Sequence, residues 1–185
     1  MSMKQRNMRK TETMKVQIKP SEVQKMTHEE LINEFELGYE KLLNKVHELK
    51  DERLYSYKLK EEDWSIKEII VHIADVEMHG YLRIRTVISE PGQKVMRFDQ
   101  EKWARELNYQ THSVSQSLEI VKVCRATNAK LLRIVPKDKW NNVVNHSEWG
   151  EMDLYGVVEY FTNHLLHHLY KIDQRIDQYL ASKKM

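Results

Sequence analysis

The 185-residue sequence is poor in cysteine, proline and glycine, with one, three and five of each. The single cysteine, Cys124, excludes an intramolecular disulfide framework and any zinc cluster built on cysteines. So few glycines and prolines leave too little turn chemistry for a β-sandwich or barrel, and too few glycine-rich loops for a doubly wound α/β fold. No run of about 18 apolar residues is available to span a bilayer. A P-loop, a dinucleotide fingerprint, a serine nucleophile elbow and a haem motif are all missing. Neither sign of charge dominates, since 30 basic and 28 acidic residues give a net +2. What remains, 41% hydrophobic and 31% charged residues with a mean hydropathy of −0.70, is the profile of a globular chain, and an all-α domain is the leading class.

The small net charge hides an asymmetry. Residues 1–20 carry Lys4, Arg6, Arg9, Lys10, Lys15 and Lys19 against Glu12 alone, a net +5, so the other 165 residues sum to −3. Residues 1–24 read as a basic extension, and 25–182 as one domain. The acidic body supplies no phosphate-binding excess, which argues against a nucleic-acid partner. The extension lacks the apolar stretch of a secretory signal, and a reducing cytoplasm is the expected location.

Four long helices are predicted. The first runs from about Thr27 to Lys50, with Thr27 and Glu30 at capping-box spacing and a stripe of Leu31, Phe35, Tyr39, Leu42, Leu43 and Val46. The second spans Ser65 to Ser89. Ser65 and Glu68 repeat the capping box, Trp64 is placed to staple onto Ile69, and Pro91-Gly92 enforces a turn. A short helical segment is expected at Asp99–Leu107. The third long helix covers Ser113 to Val135, stopping before Pro136. Residues 136–150 read as a loop, and the last helix runs from Asp153 to Leu180. The architecture expected is a four-helix bundle.

Nine histidines are present. His164 and His168 stand four apart on the last helix, so their side chains rise from successive turns of one face, a spacing that can chelate one ion. At about 100° per residue, Val157, Phe161, Leu165, Ile172, Ile176 and Tyr179 define an apolar arc. His168 falls inside that arc, His164 about 20° beyond its edge and His167 roughly 80° outside it. On the second helix His72 borders the apolar face of Ile66, Ile69, Ile70, Ile73 and Val76. His79 shares that side but lies about 10 Å further along the axis. Asp75, one turn from His72, could hold an imidazole tautomer or face solvent. Histidines turned into a core are more often hydrogen-bonded than metal-bound, and spacing alone leads no further than a candidate site. Cys124 reads as a small core residue. The tryptophans read as packing residues, with Trp140 and Trp149 also placed to wall a pocket.

The pattern W-S-I-K-E-I-I-V-H-I-A-D at 64–75, followed by W-G-E-M-D-L-Y-G-V-V-E-Y-F-T-N-H-L-L-H-H-L-Y-K-I at 149–172, resembles the DinB/YfiT-like superfamily. The resemblance extends over most of residues 25–180, including D-Q-E-K-W-A-R-E-L at 99–107. It implies a four-helix bundle, often a homodimer, that binds a divalent metal through three histidines, which here fall on His72, His164 and His168. Lys171 departs from the pattern: many relatives carry glutamine or another polar residue three positions after the last ligand. A lysine there could orient an anionic substrate or face water.

Three neutral imidazoles leave coordination positions open for water or substrate. Zinc or nickel is the expected metal, with iron and manganese also accepted by imidazole. The resemblance implies thiol S-transferase activity in several branches, with bacillithiol, mycothiol or glutathione, and a metal-dependent hydrolase label in others. A metal-bound thiol is deprotonated without a separate base. Water attacking an amide or ester benefits from one, and only Asp75 and Glu159 are placed near the ligands in sequence. Thiol transfer is therefore the first expectation and hydrolysis the second. The third is a non-catalytic protein braced by its metal and linked to stress or DNA damage, with His79 or Asp75 as a fourth ligand.

Overall fold

The computed structural model describes residues 26–183; the basic extension expected at 1–24 lies outside them. Four long helices form the body: α1 (His28–His47), α3 (Ile66–Ser89), α5 (Val114–Ile134) and α6 (Leu154–Ser182). Two short helices, α2 (Arg53–Ser56) and α4 (Gln100–Glu106), sit in the connections, with single 3-10 turns at Tyr109–Thr111 and Lys137–Asn141. Both predicted capping boxes are present. The Thr27 side chain accepts from the Glu30 amide while Glu30 reaches back to the Thr27 amide, and Ser65 and Glu68 do the same for α3. Ser113 and Asp153 cap α5 and α6. Each of these residues satisfies an amide that the first helical turn leaves without a partner.

Two apolar clusters fill the bundle. One joins the start of α1 to the ends of α3 and α5 and the start of α6, through Phe35, Ile84, Leu132 and Phe161. The other joins the opposite ends, through Leu42, Ile66, Ile70, Val121, Leu165 and Ile172. Helices α1 and α6 therefore run one way, and α3 and α5 the other. Between the clusters lies a buried ion pair. The Arg125 guanidinium on α5 donates twice to Glu77 Oε1 on α3, at 2.9 and 2.6 Å, and also to the carbonyls of Phe35 on α1 and Phe161 on α6. One side chain thus ties all four bundle helices together. Gly38 makes room for it: a Cβ at this position would collide with Arg125 Nη1.

Residues 136–150, read from the sequence as a loop, hold more structure than that. Strand β2 (Val143–His146) pairs antiparallel with β3 (Gly150–Asp153) and parallel with the two-residue β1 (Lys94–Val95). His146 is opposite Gly150, whose φ of +75° suits a residue without a Cβ at the hairpin turn. The small sheet lies across the end of the bundle where α6 begins, and it walls one side of a pocket. Among the described residues no helix is long and apolar enough to cross a membrane.

Candidate metal centre

His72 of α3 and His164 and His168 of α6 meet inside the bundle, each less than a tenth exposed. Their α6 spacing of four puts two rings on successive turns, and the antiparallel α3 brings His72 against them. His72 Nε2 lies 3.2 Å from His164 Nε2, which lies 3.1 Å from His168 Nε2. One ligand atom from each falls within 4.8 Å of the others. With metal–nitrogen bonds of about 2.0–2.1 Å, neighbouring ligand atoms sit about 2.8–3.0 Å apart on an octahedral edge and about 3.3–3.4 Å apart on a tetrahedral one. The two separations fall between those limits.

Electrostatics favours the form that a metal needs. Burial pushes the His72 imidazole down to about 3, helped by the nearby Lys171 cation. Burial first, and then mutual repulsion, hold His164 and His168 well below the ordinary imidazole range. All three are therefore neutral at pH 7, with lone pairs available. Hydrogen bonding within the trio leaves the Nδ1 atoms of all three without a partner among the described residues. The atoms that converge are the three Nε2, and their facing lone pairs are a donor set that a divalent cation satisfies.

Trp64 packs edge-on against His72, their ring centroids 4.8 Å apart. The centre opens into a cavity of about 360 Å³ walled by Phe98, Trp149, Tyr160 and Phe161, with Lys171 also on its lining.

The other sequence candidates are placed elsewhere. Asp75 is not hydrogen-bonded to an imidazole among the described residues: it accepts a hydrogen bond from the hydroxyl of Tyr109, which comes from the 3-10 turn at Tyr109–Thr111. Glu159 is exposed and does not line the cavity. His79 stacks face to face on Phe98, centroids 4.5 Å apart, one step along the pocket wall and outside the histidine cluster. Cys124 is buried, and burial pushes its thiol up to about 11, so it is an inert core residue. Of the two loop tryptophans, Trp149 walls the cavity, whereas Trp140 is buried beneath His28.

Sequence reasoning missed Arg83, His146 and Tyr160, all on the cavity wall. Arg83 was within reach of a helical wheel, because 72, 76, 79 and 83 follow one face. His146 had no local signal. Its place depends on the strand pairing of β2, which is a tertiary contact.

A four-helix bundle with three buried imidazoles converging at the floor of an open pocket defines a class, that of helical proteins with a tri-histidine centre of metal-ligand geometry. Residues 19–172 match the sequence profile of the DinB superfamily, and the chain belongs to that family. A protein of Oceanobacillus iheyensis named as a candidate metal-dependent hydrolase is 28% identical over 141 residues, covering 76% of this chain and 80% of its own. A similarly named protein of Halalkalibacterium halodurans is 23% identical over 160 residues, covering 85% and 91%. Among solved structures, YfiT from Bacillus subtilis, described as a probable metal-dependent hydrolase with an unusual four-helix bundle topology, matches with a TM-score of 0.77. It is 20% identical, with 87% of this chain and 93% of that one covered, and it shares the fold.

Proposed function

We propose that the chain is a metal-dependent enzyme that transfers a low-molecular-weight thiol to or from an electrophilic small molecule. The observation that favours this over other metal chemistry is the company the histidines keep. Among the described residues no carboxylate is hydrogen-bonded to any of the three imidazoles; Glu62 and Glu101 reach the cavity lining only from exposed positions, and three of the other nearby acids are committed. Asp75 is held by Tyr109, Glu148 is paired with Arg97, and Glu77 with Arg125. His72, His164 and His168 would hold the cation. Bound there, it would lower the pKa of a thiol or water brought to it. A thiol then needs no protein base, whereas attack by water is helped by one.

The residues of this chain supply position and dryness. Trp64, Phe98 and Phe161 exclude water around the imidazoles, and Lys171 places a cation at the mouth where a thiolate would enter. Hydrolysis is the second reading, favoured by the names of the relatives. A purely structural metal fits less well, since such sites are closed by four protein ligands and the cluster offers three.

The test compares metal content and turnover in the wild type and in a His164→Ala/His168→Ala variant. Near-stoichiometric zinc or nickel is expected in the wild type and none in the variant. Conjugation of bacillithiol or glutathione to 1-chloro-2,4-dinitrobenzene should depend on that metal. Metal-dependent cleavage of p-nitrophenyl acetate without thiol conjugation would shift the assignment to hydrolysis. Failure of the folded wild type to take up any divalent metal would end both.

A further inference from the structure

Three arginines line the cavity, and two of them are neutralised: Arg97 by Glu148 at 2.7 Å and Arg175 by Asp63 at 3.3 Å. Arg83 differs. Half-buried, it makes no ion pair among the described residues, and its one hydrogen bond there runs from Nη2 to the Met96 carbonyl at 2.7 Å. A guanidinium stays charged, so a partly desolvated one without a counter-charge is an unsatisfied cation.

Two further donors on the same cavity wall are unspent. His146 is buried, and its Nδ1 accepts the Glu148 amide at 3.2 Å. The one proton of the neutral ring therefore sits on Nε2, an atom buried without a partner. Tyr160 keeps its proton, because burial pushes the phenol up to about 12, and its hydroxyl bonds nothing among the described residues. Ring contacts link the three. His146 stacks on Trp149 at 4.1 Å, Trp149 meets Tyr160 at 4.5 Å, and Tyr160 adjoins Phe161, whose ring centroid lies 5.8 Å from the Arg83 Cζ. One cation, with donors to spare beyond the Met96 carbonyl, and two neutral donors without an acceptor make a set matched to an acceptor-only group.

We infer that Arg83, His146 and Tyr160 form a carboxylate-recognition site at the end of the cavity, and that the protein acts on small molecules bearing a carboxylate. Lys171, the other unpaired cation of the lining, stands beside His72, His167 and His168, so this end of the cavity has Arg83 as its single uncompensated cation, which matches a singly charged group. A phosphate dianion would need a second, and Arg97 is already committed to Glu148. The site is set back from the histidines by about one turn of α6, Tyr160 lying 5.9 Å ring to ring from His164. Side chains on a helix lean towards its N-terminus, so Arg83 points back along α3 towards His79 and His72. A ligand anchored there would lay an apolar body against Phe98, Phe161 and Trp149 and present its far end to the imidazoles. That last step rests on the proposed role of the three histidines; the carboxylate site does not.

Binding can be followed by calorimetry with three probes of one shape: 3-phenylpropionate, 3-phenylpropanamide and 2-phenylethylphosphonate. Wild-type protein should prefer the acid to the amide by at least about tenfold, as a charge-assisted pair in a partly dry site implies. Arg83→Gln should bring the two affinities together. Arg83→Lys, which keeps the charge but not the fork, should retain part of the preference and serves if the glutamine variant does not fold. Equal affinities in the wild type, no binding of either probe, or a preference unchanged in Arg83→Gln would overturn the site. Tighter binding of the phosphonate would overturn its assignment to carboxylates. Cobalt uptake measured on the same samples separates the two proposals. Discrimination without cobalt binding removes the metal role alone, and cobalt binding without discrimination removes the carboxylate site alone.

Discussion

Burial of four neutral histidines makes the metal-free protein sensitive to mild acid. His72, His164 and His168 stay unprotonated in the folded state well below the pH at which an unfolded imidazole, near 6.5, takes up its proton. His146 is lowered to about 4, by burial and then by Arg83. A folded-state pKa below the unfolded one gives stability that is complete above about pH 6.5 and lost as the pH falls, because the unfolded chain then binds the extra protons. Between pH 7 and pH 5 each such histidine forfeits about 2 kcal/mol. For the four together the loss is up to about 8 kcal/mol, against a total stability of about 5–15 kcal/mol for an ordinary domain. Stripped of metal by a chelator, the protein should therefore approach its unfolding midpoint near pH 5. Urea titrations followed by circular dichroism at half-unit steps of pH would measure this directly. A metal at a hundred times its dissociation constant should add about 2.7 kcal/mol at pH 7, a margin that shrinks as protons compete for the same nitrogens. A fall of less than about 2 kcal/mol between pH 7 and pH 5 would refute the reasoning, since it would mean that at most one of the four rings is held neutral.

Other expectations follow from single contacts. Gly38→Ala gains about 1 kcal/mol of helix propensity but drives its methyl into the Arg125 guanidinium, and disrupting a buried pair costs about 3–5 kcal/mol. A net loss of about 2–4 kcal/mol should appear in urea unfolding, and a neutral result would show that the guanidinium has room to move. Ser65→Ala removes both the α3 cap and the acceptor for Gln110 Nε2, 2.6 Å away, and should cost about 1–2 kcal/mol by thermal or chemical unfolding. Asp75→Asn should leave zinc affinity nearly unchanged, because the carboxylate serves Tyr109; a loss of about 10–100-fold in a competition assay would mean that it orients a ligand after all.

Much of this structure is visible along the chain because its signals are local. Thr27 with Glu30 and Ser65 with Glu68 mark helix starts to the residue, since a cap and its amide lie within one turn. The four-residue step from His164 to His168 fixes two converging rings for the same reason. The helical wheel offered His72 only as a candidate third ligand, and a family resemblance was needed to join it to the pair, because 92 residues separate it from His164 and only the packing of α3 on α6 brings them together. The small sheet escaped notice because a parallel pair as short as Lys94–Val95 on Asn145–His146 has no periodicity of its own. The partner of Asp75 was equally hidden. Tyr109 comes from a turn whose approach to α3 depends on the connection around it, so a carboxylate left open between an imidazole and solvent is met by a phenol instead.

The Arg125 crosspiece has a consequence for how such a sequence can diverge. Gly38, Glu77 and Arg125 lie on three different helices, yet none can be replaced alone without stranding another: a side chain at 38 evicts the guanidinium, and loss of either charge leaves its opposite buried. Lysine cannot stand in for arginine, since one ammonium lacks the fork that reaches Glu77 and the carbonyls of Phe35 and Phe161 at once. The three positions should therefore be inherited as a unit, with homologues keeping the whole trio or exchanging it together for an apolar set. In lineages that keep it, α3 and α6 are locked against sliding past each other by a turn, and the spacing of the histidines they carry persists while the surrounding pocket is free to change its ligand.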